Sequence, residues 1–343
     1  MEAASAAVER MELGWEPVAF GEINPAACAV LAHRWPHVPN LGDITKVDWS
    51  RFAGQVDIVV GGPPCQDFST AGQRAGIGGA RGNLSMEYLH VLEAIRPRWA
   101  VLENVANLLH SNGGRDFGAL LGRLDDIGFD AAWAVLDGLD FGLPARRKRL
   151  WLVGHRRDGR DTAAGQILAV EPSPGRDVLK GCEAWKRPAT RVRGRELVAD
   201  PHLHDTHDAW GNEIVVDYDD EPIFSYEVYD QRGRGDGETV PTLMRESLHH
   251  PTDYGPILFT KMTAGGFTAA RRFTPRECLR LQGFDDAWLD DITLRGKLLS
   301  DQAKYRMIGN SWAVPCAAWV LERIDAMDRM LAVGEAPGFL RAA

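Results

Sequence analysis

Three short stretches carry the residues whose types and spacing suit chemistry. The first is DIVVGGPPCQDFS, residues 57–69. Ile58, Val59 and Val60 form a β-branched run that reads as a buried strand of a parallel sheet. Gly61 and Gly62 end it, Pro63 and Pro64 stiffen the exit, and Cys65 follows just beyond the strand's carboxyl end. Reacting groups of open α/β sheets collect at that end. A thiol on a Pro-Pro support has little freedom to wander, which suits a nucleophile; the plainer reading is an ordinary buried cysteine. In the second stretch, Trp99 to Leu102 is an apolar strand that delivers Glu103, Asn104 and Val105 to its end. A thiol and a carboxylate then share one edge of a sheet, a constellation with catalytic content. The third stretch is ARRKR, residues 145–149, set between Ala131–Leu136 and Arg149–Val153, which read as paired strands. Alternate residues of an extended segment share a face, so Arg147 and Arg149 point together, either into a cleft or as a solvated basic edge that discourages strand pairing.

The elements that must position these groups follow an α/β rhythm over the first 155 residues. An Ala-rich helix opens the chain, with Ala7, Val8 and Met11 on one side. Glu16 to Glu22 reads as a strand ending on an acid, which can take ribose hydroxyls in a nucleotide-binding sheet or be merely solvated. Asn24 to Trp35 is a helix, and Asp43 after the Pro39-Asn40 turn either accepts from an adenine amino group or caps a turn. The glycines between Gly72 and Gly82 form a loop that reads as a lid, since no strand precedes their GIGG to make a phosphate cradle. Ser85 to Ile95 and Phe117 to Ile127 are helices.

Beyond His155 prolines break the rhythm and charge segregates. Residues 145–195 carry a net charge of about +9 and residues 196–238 about −11, which marks a separate surface module. KRPATRVRGR, residues 186–195, is either a phosphate-contacting stretch or a solvated loop. Order returns at Phe273, where Thr274, Pro275 and Glu277 spell a capping box. Tyr305 to Ser311 then leads into a last helix, to about Met330, capped by Asn310 or Ser311.

With 45% hydrophobic and 25% charged residues among 343, the composition is that of a globular protein large enough for two domains. The net charge of −9 argues against indiscriminate nucleic-acid coating but leaves room for a local basic cleft. The five cysteines lie far apart with no CxxC pair, so neither a metal site nor a disulfide framework is indicated. With neither a signal peptide nor a long apolar span, the expected location is cytoplasmic.

GGPPCQDFS (61–69), ENV (103–105), ARRKR (145–149), RRFTPRECLRLQGF (271–284) and YRMIGNSWAVP (305–315) together resemble, in order and spacing, the motifs of the cytosine-5 DNA methyltransferase family. The resemblance implies an α/β, Rossmann-like S-adenosylmethionine-dependent sheet with a smaller inserted target-recognition domain. Residues 1–165 would be catalytic, 166–300 would recognise the target, and 301–343 would return to the catalytic domain. It implies Cys65 as nucleophile, Glu103 as its acid partner at the cytosine ring, and Arg149, supported by Arg147, at the cytosine O2. Glu22, Ile23, Asp43, Ile44, Pro64, Asn310 and Ser311 would bind S-adenosylmethionine. The implied partner is double-stranded DNA, with a cognate restriction endonuclease as a genetic partner and a monomer as the working form. Two departures stand out. Ala145 occupies a position where the family has Gln, and no FxGxGG-type loop precedes the first helix. The second departure gives the expectation of a shortened relative that binds the cofactor weakly. Two other readings follow: a DNA-binding relative without turnover, and a tRNA cytosine-5 methyltransferase.

Overall fold

The computed structural model describes residues 2–63, 84–143, 145–157, 163–169, 224–229, 257–262 and 268–332, with the backbone alone for 224–229, 257–262 and 268–272. Two compact units divide the chain. The first takes residues 2–137, 148–181 and 316–343, the second residues 138–147 and 182–315.

The first unit is built on a four-stranded sheet in the order β1-β2-β4-β3. Its strands are β1 (Ile58–Gly61), β2 (Trp99–Val105), β3 (Phe129–Asp137) and β4 (Lys148–Arg156). Only β1 and β2 run parallel; β2 with β4 and β4 with β3 are antiparallel. The expectation of a parallel sheet therefore holds for the one pair that carries the Cys65 and Glu103 stretches. The β1 side chains are half-buried, not buried, because this strand ends the sheet order. β2, flanked on both sides, is buried from Trp99 to Asn104, as its unbroken apolar start demands.

Alternation sorts the sheet into two faces. Ala100, Leu102, Leu150 and Leu152 meet Leu89 and Leu92 of α3 (Leu84–Ile95) and Leu120 and Leu124 of α4 (Arg115–Asp126). The opposite face carries Trp99, Val101 and Glu103 from β2 and Arg149, Trp151 and Val153 from β4. Gly61 admits the Tyr88 ring so closely that a Cβ there would lie 2.7 Å from it. The Tyr88 hydroxyl is in turn 3.2 Å from Val59 O and 3.0 Å from Val101 O, stitching β1 to β2.

The helix α1 (Ala3–Arg10) buries Ala3, Ala4, Ala6 and Ala7 and starts on the Glu2 carboxylate, which accepts from Ala4 N and Ser5 N. The expected strand from Glu16 to Glu22 shrinks to a single parallel bridge, Phe20 with Asn40. The reason is local: the Asn40 carboxamide takes the Glu22 N–H at 3.0 Å and donates to Glu22 O at 3.0 Å, so a side chain replaces the next rung. The helix α2 (Pro25–Arg34) follows with Asn24 as its N-cap. A one-turn helix, α5 (Ala164–Ile167), closes the described part of this stretch.

In the second unit β5 (Phe224–Tyr229), β6 (Ile257–Met262) and β7 (Thr268–Arg272) form an antiparallel sheet in that order. The helix α6 (Pro275–Leu281) has the expected capping box: Glu277 N donates to Thr274 Oγ1 and Thr274 N donates to Glu277 Oε2. A small hairpin, β8 (Thr293–Leu294) and β9 (Lys297–Leu298), leads to α7 (Asp301–Asn310), whose N-cap is Ser300. Tyr305 to Asn310 is thus the end of a helix and not the lead-in to the last one, and Ser311 is the C-cap of α7. The last described helix, α8 (Val314–Ala332), starts three residues later, and from Cys316 onward it belongs to the first unit. No helix among the described residues is long and apolar enough to cross a membrane.

Candidate active site

Glu103 and Arg149 are diagonal neighbours across the β2–β4 ladder, because Glu103 pairs with Trp151 and Val105 with Arg149. Their side chains meet: Arg149 Nε lies 3.2 Å from Glu103 Oε1. Both are largely out of water, with side-chain exposures of 10% and 17%, so the pair is held in a medium where charge interactions are stronger than at the surface. The Arg149 Nη1 donates to Lys148 O at 2.8 Å, and the rest of the guanidinium fork keeps further N–H donors. Glu103 was expected at the strand's end; it lies inside β2, so its Cα is fixed by the ladder.

Sequence reasoning passed over Asn104. Buried at 4% exposure, it donates from Nδ2 to Pro63 O at 2.8 Å, and its Oδ1 accepts from Val105 N at 2.8 Å. One carboxamide thus ties the exit of β1 to the end of β2. A polar residue at the end of an otherwise apolar run was the available signal. Pro64 and Cys65 lie outside the described residues, as do the glycine loop and the 186–195 stretch.

Arg147 behaves differently from Arg149. In the second unit Arg147 is buried, 3% exposed, and its guanidinium donates from Nη2 to Gly309 O, at 3.2 Å, and to Ser311 O. These carbonyls close the C-terminal end of α7, where unpaired C=O groups and the helix dipole favour a cation. Arg147 is therefore committed to the backbone that carries Asn310 and Ser311. Its backbone is held too, because Arg147 O accepts from Gly138 N at 3.2 Å. Ser311 is buried, with its Oγ 3.2 Å from Trp312 O, while Asn310 is exposed.

A second cluster gathers Glu22, Ile23, Asp43 and Ile44. Asn40 is its latch: besides holding Glu22, its Oδ1 accepts from Gly42 N at 3.2 Å and its Nδ2 donates to Cys28 Sγ at 3.2 Å. Burial, and the Glu22 charge nearby, push the Cys28 thiol up. Glu22 Oε1 accepts from Ile23 N at 2.8 Å and Asn24 N at 2.7 Å, placing the carboxylate over the start of α2. Asp43 takes the capping role: Oδ1 accepts from Thr45 N and Thr45 Oγ1 and Oδ2 pairs with Lys46 at 3.1 Å. The Thr45 hydroxyl, followed by Lys46, holds the Asp43 carboxyl below the usual carboxylate range. A Cβ on Gly21 would fall 2.5 Å from Ile44 Cγ2, so the two loops approach as closely as glycine permits. Ile23 is 70% exposed beside the Glu22 carboxylate. A carboxylate that can accept from ribose hydroxyls and an uncovered apolar side chain that can lie against a purine ring are compatible with the adenosine part of S-adenosylmethionine.

The fold matches that of a methyltransferase. Over 95% of this chain and 96% of the other, it resembles the crystal structure of the S. pombe Dnmt2 methyltransferase with a TM-score of 0.58 at 17% sequence identity. The chain belongs to the family described as C-5 cytosine-specific DNA methylase, whose profile matches residues 3–326. Among individual relatives, a DNA N-6-adenine-methyltransferase of Escherichia phage P1 is 27% identical over 94% of this chain and 60% of its own length. The Type II methyltransferase M1.ScrFI of Lactococcus lactis subsp. cremoris is 30% identical over 82% of this chain and 65% of its own. The chain thus spans somewhat under two thirds of the length of these two relatives.

Proposed function

We propose that the protein transfers a methyl group from S-adenosylmethionine to carbon 5 of cytosine in a specific sequence of double-stranded DNA, through a covalent adduct on Cys65. The buried Glu103–Arg149 pair, set beside the β1 exit that Asn104 fastens, is the observation that carries this reading. Cytosine carbon 5 is a poor nucleophile. Addition of the Cys65 thiolate to carbon 6 makes the ring electron-rich at carbon 5. Glu103 holds ring N3 and the exocyclic amine, and Arg149 holds O2, so that charge developing on the ring meets a preorganised pair. S-adenosylmethionine, when bound, would supply an electrophilic methyl group to carbon 5 and leave as S-adenosylhomocysteine as its sulfur–methyl bond breaks. The carbon 5 proton then leaves to water or a base, and the Cys65–carbon 6 bond breaks to release the thiolate. The target base must leave the duplex for any of this, at a cost of a few kcal/mol.

Glu22, Ile23, Asp43 and Ile44 hold the adenosine end of the cofactor, with Pro64, Asn310 and Ser311 assigned to its remainder. Arg147 supports Asn310 and Ser311 through the end of α7. Target recognition is assigned to residues 166–300, most of which fall in the second unit. A Type II relative supports a restriction endonuclease as genetic partner, and the working form is taken as a monomer.

Asn40→Ala is expected to weaken S-adenosylmethionine binding about tenfold, since Glu22 and Gly42 lose the side chain that fixes them, a loss on the order of 1 kcal/mol or more. Calorimetric titration checks it; unchanged affinity would show that the two loops are held by other contacts. The reaction itself is tested with labelled methyl donor, duplex DNA and tRNA. Label should appear as 5-methylcytosine in duplex DNA at one sequence context. Label in tRNA alone, or as N6-methyladenine, overturns the assignment.

A further inference from the structure

The β8–β9 hairpin takes no part in the reaction proposed above, yet its tip is unusual. Thr293 pairs with Leu298 and Leu294 with Lys297, leaving only Arg295 and Gly296 to connect the strands. Their φ values are +53° and +73°, the geometry of a type I′ turn. The foot of the hairpin is fixed. Leu299 N donates to Ile292 O at 3.0 Å, and both side chains are buried. From Thr293 to Leu298 the hairpin holds two cations, Arg295 and Lys297, and no acid. Both are exposed, and neither has an ion-pair partner among the described residues. Of the acids that precede it, Asp290 pairs with Arg276 at 2.7 Å and Asp286 with Arg280, while Asp285 and Asp291 are exposed.

The residue type at the tip is a second, separate observation. A type I′ turn favours Asn, Asp or Gly at its first central position, because other side chains crowd the backbone at positive φ. Among the described non-glycine residues with positive φ, Arg295 alone joins two paired strands. An exposed arginine there costs backbone comfort and returns no hydrogen bond or ion pair among the described residues. Such a conflict between local preference and residue choice marks a site kept for another purpose.

We propose that the β8–β9 tip grips the backbone of duplex DNA, with Arg295 and Lys297 each taking a phosphate. This rests on the DNA reading above. A guanidinium fork matches phosphate oxygens, and a two-residue tip on a rigid foot presents it without a large ordering cost. In a chain of net charge −9, unpaired cations on a projecting element are where a polyanion can be met.

The test uses Arg295→Asn, which supplies the residue the turn prefers while removing the cation. Binding to a duplex is titrated by fluorescence anisotropy from about 50 to 200 mM salt, beside the methyl-transfer assay. The slope of log K against log salt should flatten by about 0.9 for Arg295→Asn and by about 1.8 when Lys297→Thr is added, with the Tm equal to or above that of the parent. Unchanged affinity and slope overturn the hairpin site while leaving the methylation reading intact. Duplex binding with the expected slope change but no methyl transfer supports the hairpin and sinks the reaction. Failure of the parent protein to bind duplex DNA, or a slope change seen with tRNA alone, overturns the proposal.

Discussion

Cys65→Ala should abolish methyl transfer, by at least about 10⁴-fold, because on the proposed mechanism its thiolate forms the bond to carbon 6 that activates carbon 5. DNA binding should survive, as the binding surfaces do not depend on one thiol. A duplex carrying 5-fluorocytosine at the target gives the complementary result. Fluorine cannot leave carbon 5 as the proton does, so the adduct should persist and map to Cys65. The cysteines among the described residues make poor competitors. Cys278 and Cys316 are buried, and burial pushes the Cys278 thiol up, away from the reactive thiolate. Cys28 is half-buried against Asn40 and Glu22 with its thiol likewise raised. An adduct on any of these, or on Cys182, would remove Cys65 from the mechanism.

Glu103→Gln should lower the rate of methyl transfer by about 10²–10⁴-fold, the range set by losing a positioned acid–base group. The substitution keeps the shape of the side chain but removes the charge that faces Arg149 at 3.2 Å. Since both side chains are largely buried, Arg149 is left with an unmatched charge, and some loss of stability accompanies the loss of rate. Single-turnover kinetics separate the two effects. A catalytic role lowers the chemical step at saturating DNA and cofactor, whereas a purely structural role lowers the fraction of competent protein and leaves the rate per active site unchanged. A rate within a few-fold of the parent would mean that the pair only braces β2 against β4.

Much of this was legible because local rules and tertiary packing agree. Thr274, Pro275 and Glu277 spell a helix start that depends on nothing distant, and it forms as written. Leu89, Leu92 and Ile95 recur at helical spacing and are buried as that spacing requires. What escaped were contacts made by side chains across sequence. Nothing near Glu22 reveals that Asn40 will supply the next rung of its ladder. The pull of Arg147 onto Gly309 and Ser311, across more than 160 residues, was hidden for the same reason. Asn310 and Ser311 looked like the start of a helix because a cap residue before an apolar run reads alike whether one helix is ending or another beginning.

The discontinuity of the first unit bears on how the protein is made. Asp325 and Asp328 on α8 accept from the indoles of Trp15 and Trp99, contacts 310 and 229 residues apart in the chain, and Arg98 joins Asp328 at 2.8 Å. The face of the sheet that carries Trp99 therefore waits for a helix synthesised long after its strands. At translation rates of about 5–20 residues per second the interval between β3 and α8 is roughly 10–40 s. For that time an apolar face with buried-to-be tryptophans stands uncovered, and non-local closure of this kind is slow even once the chain is whole. Yield in a host should accordingly depend on chaperone supply and growth temperature more than the stability of the finished molecule would suggest.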